Sequence, residues 1–128
     1  MTPIEVRPEM TIIWPGFQRI DQRQLLIYIA SPYQGDVVSN VRFACEIGDK
    51  ILAKGHIPYI PHLNHLWDFI SPKPRDEWLR IDNIILPKCD ALLRVGGVSQ
   101  GADAEVVLAD HFNIPVYFTL DTIPKYIP

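Results

Sequence analysis

The residues that invite a chemical reading are carboxyls set beside a glycine loop. Between Asp90 and Ala109 the chain runs Ala91-Leu-Leu-Arg-Val95, then Gly96-Gly-Val-Ser-Gln-Gly101, then a segment with apolar residues at helical spacing, Val106, Leu108, Ala109 and Phe112. This reads as a strand, a loop and a helix over about Ala102 to Phe112. Three glycines, Gly96, Gly97 and Gly101, let backbone N–H groups approach a ligand closely, and Ser99 adds a hydroxyl. Glu105 is expected within the first turn of that helix, where the macrodipole favours a charged carboxylate. The plainer reading of Glu105 is an ordinary helix-start charge. Asp103 is expected to cap the helix.

A second carboxyl, Asp82, falls on a helix expected from Arg75 to Leu86. Trp78, Leu79, Ile85 and Leu86 lie one turn to either side of it. Desolvation on such an apolar face raises a carboxyl pKa and keeps the proton on near neutral pH. The alternative is a solvated side chain paired with Arg75 or Lys88. One anionic carboxylate and one protonated carboxyl make the nucleophile and general acid pair of glycosyl chemistry. His62 and His65, in His-Leu-Asn-His, lack a third ligand at a defined offset, so no metal is expected.

These side chains need a frame. Leu25 to Ala30 is a near-continuous apolar run, the pattern of a strand buried on both faces. A loop, Ser31-Pro-Tyr-Gln-Gly-Asp36, leads to a helix capped by Asp36 or Ser39 and running to about Lys54, with Gly55 ending it. Ile57 to Ile60 is a second strand, and Pro61 to Pro74 is expected to be irregular. Ile114 to Phe118 is the last strand. Strands alternating with helices imply parallel pairing through right-handed crossovers. The expected fold is therefore α/β, a small doubly wound, flavodoxin- or Rossmann-like parallel sheet of four to five strands flanked by helices. Ligands of such sheets bind beyond the carboxyl ends of the strands, where strand order reverses. That rule gathers Tyr28, Ser31 and Tyr33 from the first loop region, His62, Asn64, His65, Trp67 and Asp68 from the second, and Ser99, Asp103 and Glu105 from the third, with Asp82 joining them from its helix.

Composition sets the outer bounds. The chain has 128 residues, 48% of them hydrophobic, and a net charge of −3, which suits one globular domain from residue 25 to 128 preceded by an arm of the same unit over residues 1–24. Met10 to Trp14 reads as an edge strand or as an irregular packed arm. No apolar run reaches a membrane span, and no basic segment leads an apolar one at the N-terminus, so a soluble cytoplasmic protein is expected. The mildly acidic balance argues against a nucleic-acid partner. Cys45 and Cys89 are expected to be reduced and structural.

Ile27-Tyr-Ile-Ala-Ser-Pro-Tyr33, Asp82 eight residues before Asp90, and Ser99-Gln-Gly-Ala-Asp-Ala-Glu105 with its following helix resemble the nucleoside 2-deoxyribosyltransferase superfamily, which includes the 2′-deoxynucleoside 5′-phosphate N-hydrolases. The likeness runs from Leu26 to Phe118. It implies that Glu105 attacks the anomeric carbon of a 2-deoxyribosyl group, that Asp82 protonates the departing base, and that Tyr28 orients the nucleophile. The transferases contribute a further acidic residue ahead of the nucleophile, for which Asp103 is the position here. A 5′-phosphate would fall to Ser31, Ser99 and the amides of Gly97 and Gly101. By position, Tyr33 or Trp67 stacks on the base. The resemblance implies no metal or organic cofactor, a small nucleoside or nucleotide substrate, and a homodimer or higher homo-oligomer. The competing expectation is a non-catalytic nucleotide or nucleotide-sugar binding module of the same fold.

Overall fold

The structure, a computed structural model, describes residues 23–127. The expected N-terminal edge strand or arm lies outside these residues. Four strands, β1 (Leu26–Ala30), β2 (Ile57–Tyr59), β3 (Ala91–Arg94) and β4 (Val116–Tyr117), form one sheet in the order β2-β1-β3-β4, with every pairing parallel. The helices are α1 (Val37–Ala53), α2 (Asn64–Ile70), α3 (Arg75–Ile85) and α4 (Gln100–His111). This is the expected doubly wound α/β architecture, with four strands. None of the described helices is long and apolar enough to cross a membrane.

Alternation along β1 and β3 divides the core in two. Ile27, Ile29, Ala91 and Leu93 turn to one side and pack with Ala44, Ile47 and Ile51 of α1 and with Ile123. Tyr28, Ala30 and Leu92 turn to the other and pack with Leu86, Ala102, Ala109 and Ile114. Both central strands are therefore apolar on both faces, as their sequences demand. Asp36 caps α1 through its carboxylate on the Ser39 N–H, so Asp36 and not Ser39 supplies the cap. Cys45 and Cys89 are both free thiols, and burial pushes Cys89 up to about 11.

Three boundaries differ from the sequence reading. Pro61 to Ile70 is not irregular: a 3-10 turn at Pro61–Leu63 runs into α2. Leu63, Leu66, Trp67 and Ile70 recur at helical spacing, but the helix is only seven residues long in a proline-flanked segment and none of its residues is buried, so the sequence signal was too short to outweigh the breakers. Helix α4 begins at Gln100, two residues earlier than expected, because the Ser99 hydroxyl accepts from the Ala102 N–H and serves as the cap. Asp103 is thus not the cap. Strand β4 shrinks to two residues at the sheet edge.

Candidate active site

Strand order turns between β1 and β3, and the loops leaving their carboxyl ends open into a cavity of about 820 Å³. Asp82 and Glu105 both line it, α3 supplying one wall and α4 the other. Tyr28 lies beneath, fully buried on β1, and its hydroxyl donates to Glu105 Oε2. The phenol of Tyr59, its register partner on β2, sits 5.5 Å away centroid to centroid.

Glu105 differs from the expectation in one respect. With α4 starting at Gln100 it stands in the second turn, beyond the free N–H groups of the helix end, and it is largely enclosed. Burial pushes its carboxyl up to about 8; the Tyr28 hydrogen bond pulls the other way, the Asp82 charge adds to the rise, and Arg94 opposes it. Asp82 is raised to about 6, by burial. Its Oδ1 is buried with no hydrogen-bond partner among the described residues, and burial alone moves its pKa, so neither Arg75 nor Lys88 acts as the ion-pair partner considered above. The two carboxyls are therefore ordered opposite to the simple expectation, with Glu105 the weaker acid. Desolvation outweighs the helix dipole. Beside this pair the Tyr28 phenol is driven far above its ordinary value, by burial first and then by the Glu105 and Asp82 charges.

The first loop enters through Ser31 and Tyr33, both at the cavity. Ser31 Oγ is 3.1 Å from His62 Nε2, which also lies 3.0 Å from the Pro32 carbonyl and 3.2 Å from that of Ser31. Two carbonyl acceptors at Nε2 require the proton there, leaving Nδ1 as a buried lone pair without a partner among the described residues. The Tyr33 hydroxyl meets His65 Nδ1 at 2.6 Å, joining the first loop to α2. Gly96 brings the third loop against the first: its φ is +86°, and a Cβ there would stand 2.7 Å from Pro32 Cδ. No such constraint acts on Gly97 or Gly101, so close packing does not explain those two.

Of the residues singled out in the sequence, Glu105, Asp82, Ser31, Tyr33, Asn64, Ser99 and Gly101 line the cavity, with Tyr28 supporting Glu105 from below. Three do not. Asp103 points outward, its carboxylate 3.1 Å from Arg94 Nε, because it follows the cap by four residues and lies on the opposite side of α4 from the cavity wall. Gly97 spends its carbonyl on Arg94 Nη2 at 2.8 Å and lies off the wall. Trp67 packs edge-on against Trp78, centroids 5.1 Å apart, and Trp78 takes the place at the cavity instead. Trp78 and Arg94 are the residues sequence reasoning missed as site groups. For Trp78 the signal was present, since it precedes Asp82 by one helical turn. Arg94 gave none, because only the folded loop shows it bonded to the Val95 and Gly97 carbonyls as well as to Asp103. Among the described residues no three His, Cys, Asp or Glu side chains converge in a way that could hold a metal ion.

The fold and its cavity can be set beside known proteins. None of the curated proteins matches the chain. A solved structure of a 2-deoxyribosyltransferase from the psychrotolerant bacterium Bacillus psychrosaccharolyticus is similar, with a TM-score of 0.55, 19% sequence identity, and coverage of 71% of this chain and 69% of that one. At that identity the likeness speaks for the shared α/β fold. The sequence itself matches a family profile over residues 25–119, from the start of β1 past the end of β4, and the chain belongs to that family, described as a domain of unknown function (DUF7768).

Proposed function

We propose that the protein cleaves the N-glycosidic bond of 2′-deoxynucleosides or their 5′-monophosphates through a covalent glycosyl intermediate on Glu105, passing the sugar to water or to a second base. The observation that carries this reading is that Asp82 and Glu105 line one cavity, with Glu105 held by Tyr28. In the forward step a Glu105 carboxylate oxygen bonds to the anomeric carbon as the bond to the base breaks. Asp82 delivers its proton to the departing base nitrogen. In the return step Asp82 removes a proton from the acceptor, whose oxygen or nitrogen displaces Glu105. The Tyr28 hydroxyl fixes which carboxylate oxygen is free to attack. Ser31, Ser99 and Gly101, at the same wall, are in position for the sugar hydroxyls or a 5′-phosphate. The outward turn of Asp103 removes the further acidic group that the transferases supply, which favours water as acceptor.

The opposite protonation order favours a second reading. A Glu105 that holds its proton at neutral pH is no nucleophile, and a neutral pocket of this shape suits a nucleotide-binding module. One experiment separates the two. Purified protein and its Glu105→Ala variant are incubated with each deoxynucleoside and each monophosphate, with and without a second free base, and the products are resolved by chromatography. Release of free base that requires Glu105 supports the glycosidase, and a new nucleoside formed only with added base supports transfer. No cleavage, together with a melting temperature raised by a nucleotide, supports the binding module. A homo-oligomeric assembly belongs to the first reading, and solution mass by light scattering tests it.

A further inference from the structure

Helix α3 turns an entire stripe to the cavity: Arg75, Trp78, Leu79, Asp82 and Asn83 all line it. These positions are spaced i, i+3, i+4, i+7 and i+8, the face an amphipathic helix ordinarily packs into a core. No residue of α3 is fully buried, and the stripe lines the cavity instead of packing into the core, with Trp78 and Asp82 half-buried there. Trp78 stands one turn before Asp82, about 6 Å along the axis.

The Trp78 indole is held from three sides. Its Nε1 donates to Asp68 Oδ1 at 2.7 Å, and the same oxygen accepts the Lys73 N–H at 3.0 Å. Trp67 meets it edge-on at 5.1 Å, and Lys73 Nζ lies 4.9 Å from the Trp67 ring and 5.8 Å from that of Trp78. An aromatic surface fixed before the ligand arrives loses little side-chain freedom on binding. A half-buried, flat, immobilised indole at the cavity wall, beside a carboxyl whose buried oxygen has no partner among the described residues, is suited to receive a planar heterocycle and protonate its edge.

Resting on the N-glycosyl reading above, we propose that Trp78 is the platform for the departing base and that it selects purines over pyrimidines. A base whose ring nitrogen takes the Asp82 proton extends along α3 toward Trp78. A fused two-ring base overlaps the indole across that distance, whereas a single ring leaves most of it uncovered. Leu79, exposed at the same wall, adds apolar contact that a longer ring system alone reaches.

Calorimetric titration of the protein with free adenine, hypoxanthine, cytosine and thymine tests this without requiring turnover. The expected result is purine affinity at least tenfold above that of the pyrimidines. Trp78→Ala should lower purine affinity by about tenfold or more while changing pyrimidine affinity less than threefold. Trp78→Phe, which keeps the apolar packing with half the platform, should fall between. Equal affinities for the two base classes in the unaltered protein overturn the proposal whether or not the variants fold, and so do equal losses for both classes in Trp78→Ala. Base release from deoxynucleosides, measured separately, keeps the two ideas apart. Release without purine selectivity sinks only the platform, and Trp78-dependent purine binding without release sinks only the glycosyl chemistry.

Discussion

The two ends of the sheet use buried polar groups in opposite ways. At the amino ends of the strands Asp90 and His56, half-buried and buried, both find partners among the described residues. Asp90 accepts the Leu26 N–H at 2.8 Å and pairs with Arg23 at 3.0 Å, while His56 accepts the Leu25 N–H at 3.0 Å and donates to the Pro124 carbonyl at 2.5 Å. At the carboxyl ends Asp82 Oδ1 and His62 Nδ1 are buried with no partner among the described residues, and Glu105 is enclosed with the Tyr28 phenol as its only side-chain hydrogen bond among them. A satisfied polar group stabilises the fold. An unsatisfied one destabilises it and is retained where a ligand completes it. The contrast separates an end whose polar groups are satisfied from one whose polar groups are left open, on one and the same four strands, and it supports the proposed site at the carboxyl end.

The largest expected effect separates stability from turnover at one residue. Glu105→Gln should reduce base release on the order of 10³-fold or more. It should also stabilise the protein in alkali. The ordinary glutamate value is 4.5 and the folded one about 8, so the fold favours the neutral carboxyl; that contribution is complete below 4.5 and is lost as pH rises through 8. Glutamine cannot ionise, and the variant should gain on the order of 2–4 kcal/mol near pH 9, read from denaturant melts. A variant that is both inactive and less stable at that pH would place Glu105 with the scaffolding.

Asp82→Asn should cost about 10²- to 10³-fold in kcat/KM for substrates with poor leaving groups. In the unaltered protein kcat/KM should trace a bell, rising as pH passes about 6 and falling as it passes about 8. In the proposed mechanism the productive form needs Glu105 ionised and Asp82 protonated, the reverse of their acid strengths, so it is a minor form throughout the bell. The limbs belong to the pair. Losing the alkaline limb in Asp82→Asn identifies Asp82 as the proton donor, and an unchanged bell denies it that role.

A smaller effect belongs to the opposite end. Asp90→Ala strips the Leu26 N–H of its acceptor and should cost about 1–3 kcal/mol of unfolding free energy. Base release per folded molecule should stay the same, because Asp90 lies at the amino end of the sheet, away from the cavity. A drop in turnover at equal folded fraction would break the division between the two ends. Smallest is Ser99→Ala, which removes the α4 cap and should cost about 1 kcal/mol. If Ser99 also binds the sugar or phosphate, KM rises with it, whereas a pure cap leaves KM unchanged.

Strands β1 and β3 were legible because a strand buried on both faces needs an unbroken apolar run, and Leu26–Ala30 and Ala91–Leu93 are such runs. Helix α1 was legible through its apolar stripe and its acidic cap. The carboxyls were legible as positions, Asp82 by the apolar residues around it on α3 and Glu105 by its glycine loop. Helix α2 was not, because its apolar spacing, Leu63, Leu66, Trp67 and Ile70, covers too short a run between Pro61 and Pro72 to outweigh those breakers. Trp67 and Trp78 could not be told apart as base platforms either, since nothing in their order shows which indole the other covers.

By itself the amino-acid sequence determined the parallel α/β frame, the loops that meet at the strand ends, and the residue types available for glycosyl chemistry. Those follow from local periodicity, turn residues and the alternation of strands with helices, all short-range properties of the chain. Only the tertiary structure decided which carboxyl holds its proton more tightly, that Asp103 turns outward to Arg94, and that Trp78 takes the cavity wall. Desolvation, ion pairing and side-chain occlusion depend on distances between residues far apart in the chain, and those distances exist only once β1, α3 and α4 have packed together.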